Sequence, residues 1–313
     1  MKRLQDKIAG SRLTLPIVAS ICILLFAGDY FVYGRDVWIP LVGIAVSTLL
    51  IGEWSNSNAL IRIYSSIIPC SFMVLSIMST GYYSSLSGSL VQLCFIVMLF
   101  CLFRTYQDHT TTGWTFYAFF AVGIASMIFV QVLFFIPLLW VFLFTKLQAG
   151  SARTFTASLI GLVAPYWLAA AWLLYAEDTT FLATHFLPLA HFEPVFTPWP
   201  TDIKMLLSFA FLLILSITGT IHFFRQKHYD KIRTQMLYEL LIILNVFSFL
   251  FVALQPAHAD FLLRIITITT APIIGHFLSL TRTKITNIAF IVIVLIAFAL
   301  TIVNLWISLP TFS

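Results

Sequence analysis

Apolar residues run along this chain in long blocks, parted by short polar stretches, from Leu13 to Ile307. The blocks do not alternate residue by residue as barrel strands do. Most approach the roughly 17–25 residues that a helix needs to cross a bilayer. They predict spans over 14–33, 38–52, 59–80, 88–103, 114–127, 129–145, 155–175, 205–224, 237–254, 261–280 and 287–307, about eleven in all. The expected fold class is therefore all-α: a polytopic membrane helix bundle making one integral membrane domain over 1–313.

The ambiguous stretch is 114–145, which is long for one span and short for two. Arg104 precedes it, and Lys146 and Arg153 follow it. If both flanks lie on one side, the segment crosses twice, with a tight turn near Gly123 to Ser126, or forms a re-entrant pair of half-helices buried in protein. The basic start and apolar run of the N-terminus look like a signal peptide, but the run continues to Phe31 without a convincing cleavage site. We read it as an uncleaved first span. There is no obvious internal repeat of the kind many transporters carry.

Composition strengthens this picture. The chain is 60% hydrophobic and only 9% charged, against about 25% charged in soluble domains. No soluble domain of any size fits between the apolar blocks. The net charge of +5 comes from residues scattered in short loops, a pattern that serves lipid headgroups and topology rather than nucleic acid. Cys22, Cys70, Cys94 and Cys101 all lie in apolar blocks with no C-x-x-C spacing. Neither a disulfide nor a metal site is expected, and no cofactor is implied.

Charge also orients the chain. With the N-terminus inside, the inner segments hold fourteen of the seventeen Lys and Arg residues: Lys2, Arg3, Lys7, Arg12, Arg62, Arg104, Lys146, Arg153, Arg225, Lys227, Lys231, Arg233, Arg282 and Lys284. The outer segments hold Arg35, Lys204 and Arg264. The positive-inside rule then places the N-terminus in the cytoplasm and the C-terminus in the periplasm of a bacterial inner membrane.

Few groups are placed for chemistry. Arg62, Glu239 and Arg264 lie within a turn of a boundary, where long side chains snorkel to the headgroups. Gln131, Asn245 and Asn304 interrupt apolar runs and are expected to bond between helices. Gly161, Gly219 and Gly275 would admit close helix approach, and Pro165 would kink its span. His222 and His276 fall near inner span ends, where packing is their usual role.

The outer face concentrates ionisable residues: Asp29, Arg35 and Asp36 after the first span, and His258, Asp260 and Arg264 at the start of the tenth. Between them the loop 176–204 carries Glu177, Asp178, His185, His191, Glu193 and Asp202 among prolines and aromatics. It reads as a structured cap with a short amphipathic helix at 179–189. Asp29, Asp36 and Asp260 are the candidate catalytic acids, each able to serve as a general base. Arg35, His191, Glu193, His258 and Arg264 are the candidate contacts for a lipid headgroup, an Arg holding phosphate by paired hydrogen bonds. His191 and Glu193 alone do not define a metal site. Ordinary interfacial anchoring is the competing reading of the same residues.

Two stretches resemble an uncharacterised family of bacterial multi-pass inner-membrane proteins. One is Phe103, Arg104, Thr105, Tyr106 and Gln107. The other runs from Arg153, Thr154 and Phe155 through Gly161 to Ala164, Pro165, Tyr166 and Trp167. The resemblance implies an inner-membrane location and an association with envelope glycan or polyprenyl-lipid metabolism. More distantly, Asp29 and Asp36 are similar in position to the acidic residue after the first span of glycosyltransferases that use polyprenyl-phosphate sugars. The loop that would carry it, 34–38, is only a few residues long and leaves no room for those enzymes' amphipathic helices.

The function expected is an accessory or structural subunit in cell-envelope biogenesis. The alternatives are a lipid-linked glycosyltransferase-like enzyme, and a transporter or lipid flippase with a cavity lined by Gln131, Asn245 or His276. The expected partners are membrane lipids, polyprenyl-phosphate lipids among them, or other envelope-biogenesis membrane proteins.

Overall fold

The computed structural model describes Ile8 and residues 10–11, 13–33, 38–63, 65–79, 85–175, 180–190, 203–281 and 283–306. Among these residues there are twelve α-helices and no strand. Six helical stretches are long and apolar enough to cross a membrane: Trp38–Ser57, Leu86–Phe103, Ile203–Tyr229, Ile232–Leu254, Pro256–Leu280 and Lys284–Asn304. The described residues thus form an all-helical fold with helices suited to a membrane. It forms two compact units, Met1–Ser89 with Pro198–Ser313, and Leu90–Thr197.

The first unit holds α1 (Thr14–Tyr33), α2 (Trp38–Ser57), α3 (Ile67–Met78) and the start of α4 (Leu86–Phe103). After the second unit it resumes with α9 (Ile203–Gln226), α10 (Ile232–Leu254), α11 (Ala259–Leu280) and α12 (Lys284–Trp306). Helix α11 is its centre, packed by α9, α3 and α10 and buried along nearly its whole length. That setting explains its sequence: Thr267, Thr269, Thr270 and His276 sit inside without meeting lipid. Gly219 lets α9 approach closely, since a Cβ there would lie 2.8 Å from the Ile273 carbonyl oxygen. Helix α12 faces outward with Ile288, Val292, Leu295 and Phe298 exposed. It starts where Thr283 and Thr286 cap one another reciprocally, backbone N–H to hydroxyl at 3.0 and 3.1 Å.

The expected span 59–80 contracts to the twelve residues of α3. Helix α2 overruns its expected end and stops in a Schellman turn. Leu60 N–H donates to the Ser55 carbonyl at 3.1 Å, with Ala59 in the left-handed region at φ 47°. The Asn58 amide adds a 2.9 Å bond to the Trp54 carbonyl.

The second unit continues α4 and adds α5 (Thr112–Ile128), a 3-10 turn (Val130–Phe135), α6 (Ile136–Thr145), α7 (Ala152–Tyr175) and α8 (Thr180–Ala190). The ambiguous stretch is two antiparallel arms. Gln107 N–H donates to the Leu147 carbonyl at 2.7 Å, and the Ser151 hydroxyl reaches the His109 carbonyl at 3.3 Å, so both flanks meet at one end. The turn is not at Gly123 to Ser126, which stay helical. It comes at Phe129, extended at φ −134° and ψ 93°. Gly123 serves packing instead: a Cβ there would lie 2.7 Å from the Leu162 carbonyl oxygen of α7. Gly161 does the same in reverse, with Phe116 O 2.5 Å away. Helix α8 matches the short helix expected in the loop 176–204. His185 on it donates from Nε2 to the Ser126 carbonyl at 3.0 Å.

The two stretches that carry the family resemblance both lie in this unit. Arg104 lies over the rings of Phe100 and Trp114, at 4.6 and 4.7 Å. Gln107 and Gln148 both take positive φ, 57° and 52°, and join side chains at 3.2 Å. Ser151 and Thr154 cap the start of α7 reciprocally, at 2.8 and 3.2 Å. Tyr166 shares a 2.7 Å hydrogen bond with the Ser126 hydroxyl.

Candidate functional site: charges buried at the two ends of the first unit

A 3-10 turn, Lys227–Tyr229, ends α9 and delivers Asp230. The turn is fixed by Asp230 N–H donating to the Lys227 carbonyl at 3.0 Å, and by the Gln235 side chain donating to the Asp230 carbonyl at 2.8 Å. The Asp230 carboxylate is 1% exposed. It meets His276 Nε2 of α11 at 2.9 Å and Arg62 Nε, in the α2–α3 link, at 3.1 Å. The Arg62 contact is ionic and not a well-directed hydrogen bond, because Asp230 Oδ1 has no aligned donor. His276 is enclosed by Phe223 and Tyr238, with ring centroids at 5.5 and 5.0 Å. Its Nδ1 lies 3.4 Å from Nδ1 of His222 on α9.

Proton placement follows from the acceptors. The carboxylate requires a proton on His276 Nε2. In the neutral ring Nδ1 is then an acceptor, and His222 Nδ1–H donates to it. That leaves His222 Nε2 as a buried acceptor without a hydrogen-bond partner among the described residues. The array is a directed chain from His222 through His276 to Asp230. Chemically it can take a proton at one end and deliver one at the other.

Sequence reasoning put His222, His276 and Arg62 near the right end but read each alone. Asp230 was missed because it lies in a polar loop, 46 residues from His276. The available signal was an acid inside a basic run, Arg225 to Arg233. Glu239 pairs with Lys227 at 3.3 Å.

At the other end, Asp260 in the first turn of α11 faces Arg264 one turn on, Oδ1 to Nε at 3.7 Å. Arg264 is only 2% exposed, so it does not snorkel to headgroups as expected. It is enclosed by protein because Gly88 leaves room: a Cβ there would lie 2.5 Å from its guanidinium carbon. Its Nη1 also donates to the Ser89 hydroxyl at 3.4 Å. His258 lies in the 3-10 turn just before α11. Asp29 falls in the last turns of α1, with its side chain outside the described residues. Arg35, Asp36, His191 and Glu193 also lie outside the described residues.

Two amide networks lock the interior. The Ser216 hydroxyl bonds Asn245 Oδ1, and Asn245 Nδ2 donates to Thr269 and Thr270, both at 2.9 Å. Asn304 Nδ2 donates to the Met78 carbonyl at 2.5 Å and the Ser208 hydroxyl at 3.0 Å. These are the interhelical bonds expected of both residues.

Fold and sites together define the class: an α-helical, multi-pass membrane bundle with ionisable pairs enclosed at both ends of its first unit. No protein-family model, no curated protein and no solved structure matches the chain.

Proposed function

We propose that the chain is a non-catalytic accessory or structural subunit of cell-envelope biogenesis. In this reading it lies in a bacterial inner membrane and crosses about eleven times, with its N-terminus cytoplasmic and its C-terminus periplasmic. The observation that carries the reading is that the described buried ionisable groups are engaged with one another. Asp230 holds His276 and Arg62, and Asp260 holds Arg264. A cavity of about 320 Å³ in the first unit has an almost wholly apolar lining. An enzyme needs polar groups converging on such a space. The partners proposed are other envelope-biogenesis membrane proteins and membrane lipids, polyprenyl-phosphate lipids among them.

A deletion strain tests this. Its envelope defect should be restored by Asp260→Asn wherever that variant accumulates to native abundance, a condition set by the buried Arg264 it leaves without a carboxylate. Failure of Asp260→Asn to complement, with normal protein abundance, would favour a glycosyltransferase-like enzyme instead. A transporter is the second reading, favoured by the His222–His276–Asp230 array, because ionisable chains in spans mark proton routes. It predicts proton uptake by reconstituted protein that is lost in His222→Phe.

A further inference from the structure

At one end of the second unit, the turn that closes α4 sets Arg104 over the rings of Phe100 and Trp114, at 4.6 and 4.7 Å. The ring faces attract the guanidinium and hold it in place. They do not take up its N–H groups, which are donors only and need oxygen acceptors. Among the described residues, the exposed Arg104 side chain makes no hydrogen bond and no ion pair. Asp108, the nearest acid in sequence, is committed elsewhere: its carboxylate accepts from the Thr110 N–H at 2.8 Å and the Thr110 hydroxyl at 2.6 Å. Beside Trp114 there is room, since a Cβ on Gly113 would meet nothing within 4 Å. The cation is thus fixed by its rings and open at its donors.

Apolar stripes lead away from this cation. Leu90, Val97 and Arg104 recur every seven residues, so they share one face of α4 and its closing turn, and all three are exposed. On α5, Tyr117 and Ile124 are also exposed and seven residues apart. The link 104–111 joins the end of α4 to the start of α5, so both stripes run from the Arg104 end. Trp114 and Tyr117, with ring centroids 6.4 Å apart, are the residue types that settle at headgroup depth in a bilayer. A fixed guanidinium at that depth, heading two apolar faces, complements an amphiphile with an anionic head. Its forked donors match two oxygens of a phosphate at once.

We propose that Arg104, held by Phe100 and Trp114, binds the phosphate of an anionic phospholipid whose acyl chains lie along the exposed faces of α4 and α5. The rings restrict the guanidinium before the lipid arrives, so less side-chain freedom is lost on binding. The exposed Arg153 at the same end of the unit has no such ring pair among the described residues, and it serves as the internal comparison. The site needs the chain in a bilayer and no particular complex, so it stands apart from the accessory-subunit reading.

The test is native mass spectrometry of the full chain after incubation with vesicles of equal parts phosphatidylglycerol and phosphatidylcholine. The native chain should retain phosphatidylglycerol with a preference of about fivefold, the effect of one basic residue near an anionic surface. Arg104→Gln, at an exposed position that tolerates the change, should bring that preference close to unity. Trp114→Leu keeps the charge and loses one ring, and should lower the preference to about twofold. Arg153→Gln should leave it at the native value. Excess inorganic phosphate should not displace the lipid, because it gains no apolar contact. Equal retention of both lipids by the native chain, an unchanged preference in Arg104→Gln, or an equal loss in Arg153→Gln overturns the proposal. Displacement by inorganic phosphate also overturns it, and gives the site to a free phosphate.

Discussion

A carboxylate that is 1% exposed and touches both Arg62 and His276 leaves its neighbours little tolerance for its loss. Removing one member of a buried pair strands the other and costs about 3–5 kcal/mol. Asp230→Ala should fall at the lower end, about 3 kcal/mol, because Arg62 is 37% exposed and water can take over its charge. Thermal unfolding of the solubilised protein should show that drop, and His276→Phe made together with Asp230→Ala should recover part of it. If Asp230→Ala unfolds at the native temperature, the cluster does not hold these helices together. Ala59 offers the opposite sign. A non-glycine residue at φ 47° carries a left-handed penalty. Ala59→Gly should therefore stabilise by about 1 kcal/mol, read as a raised melting temperature. At this scale the sequence was only partly legible. Asn245 and Asn304 announced themselves because an amide within an apolar run must find a partner. Asp230 did not, because its burial arises from long-range packing of α9 and α11 over a loop that reads as solvated.

Helices were legible because lipid-length apolar runs need no tertiary contact to be recognised. Each expected span has a helical counterpart, and the departures have local causes. The third span shortens because the Schellman turn at Ala59 is followed by the polar link that carries Arg62. In 114–145 the expected turn was placed on the small residues Gly123 to Ser126, which are small in order to press against α7. The legible signal was for the restart of the helix after the break at Phe129: Pro137 occupies the first turn of α6, where its missing N–H costs nothing. Two measurements follow. Gly161→Leu inserts a side chain where Phe116 O would lie 2.5 Å from its Cβ. It should separate α5 from α7 and lower the melting temperature well beyond the effect of Gly113→Leu, whose site is open. Cysteines placed at Gln107 and Gln148 should be joined by a short bifunctional thiol cross-linker, since Gln107 N–H bonds the Leu147 carbonyl at 2.7 Å and the two Gln side chains meet at 3.2 Å. An absence of cross-linking in the folded protein would contradict the antiparallel arms.

At the scale of the whole molecule, composition determined the class and charge suggested the orientation. Function left little trace in the pattern, because groups buried against one another give no local motif. The candidate acids divide accordingly: Asp260 is paired to Arg264, while Asp36 and the side chain of Asp29 fall outside the described residues. An accessory role rests on the mutual engagement of the ionisable groups, and such a role belongs to a complex. The most direct measurement is native mass spectrometry of the chain released in a patch of its own membrane. The expected result is a second envelope membrane protein present at fixed stoichiometry, alongside whatever phospholipid the chain carries. A chain released alone, holding a polyprenyl-phosphate sugar that disappears when acceptor is added, would contradict it and identify an enzyme.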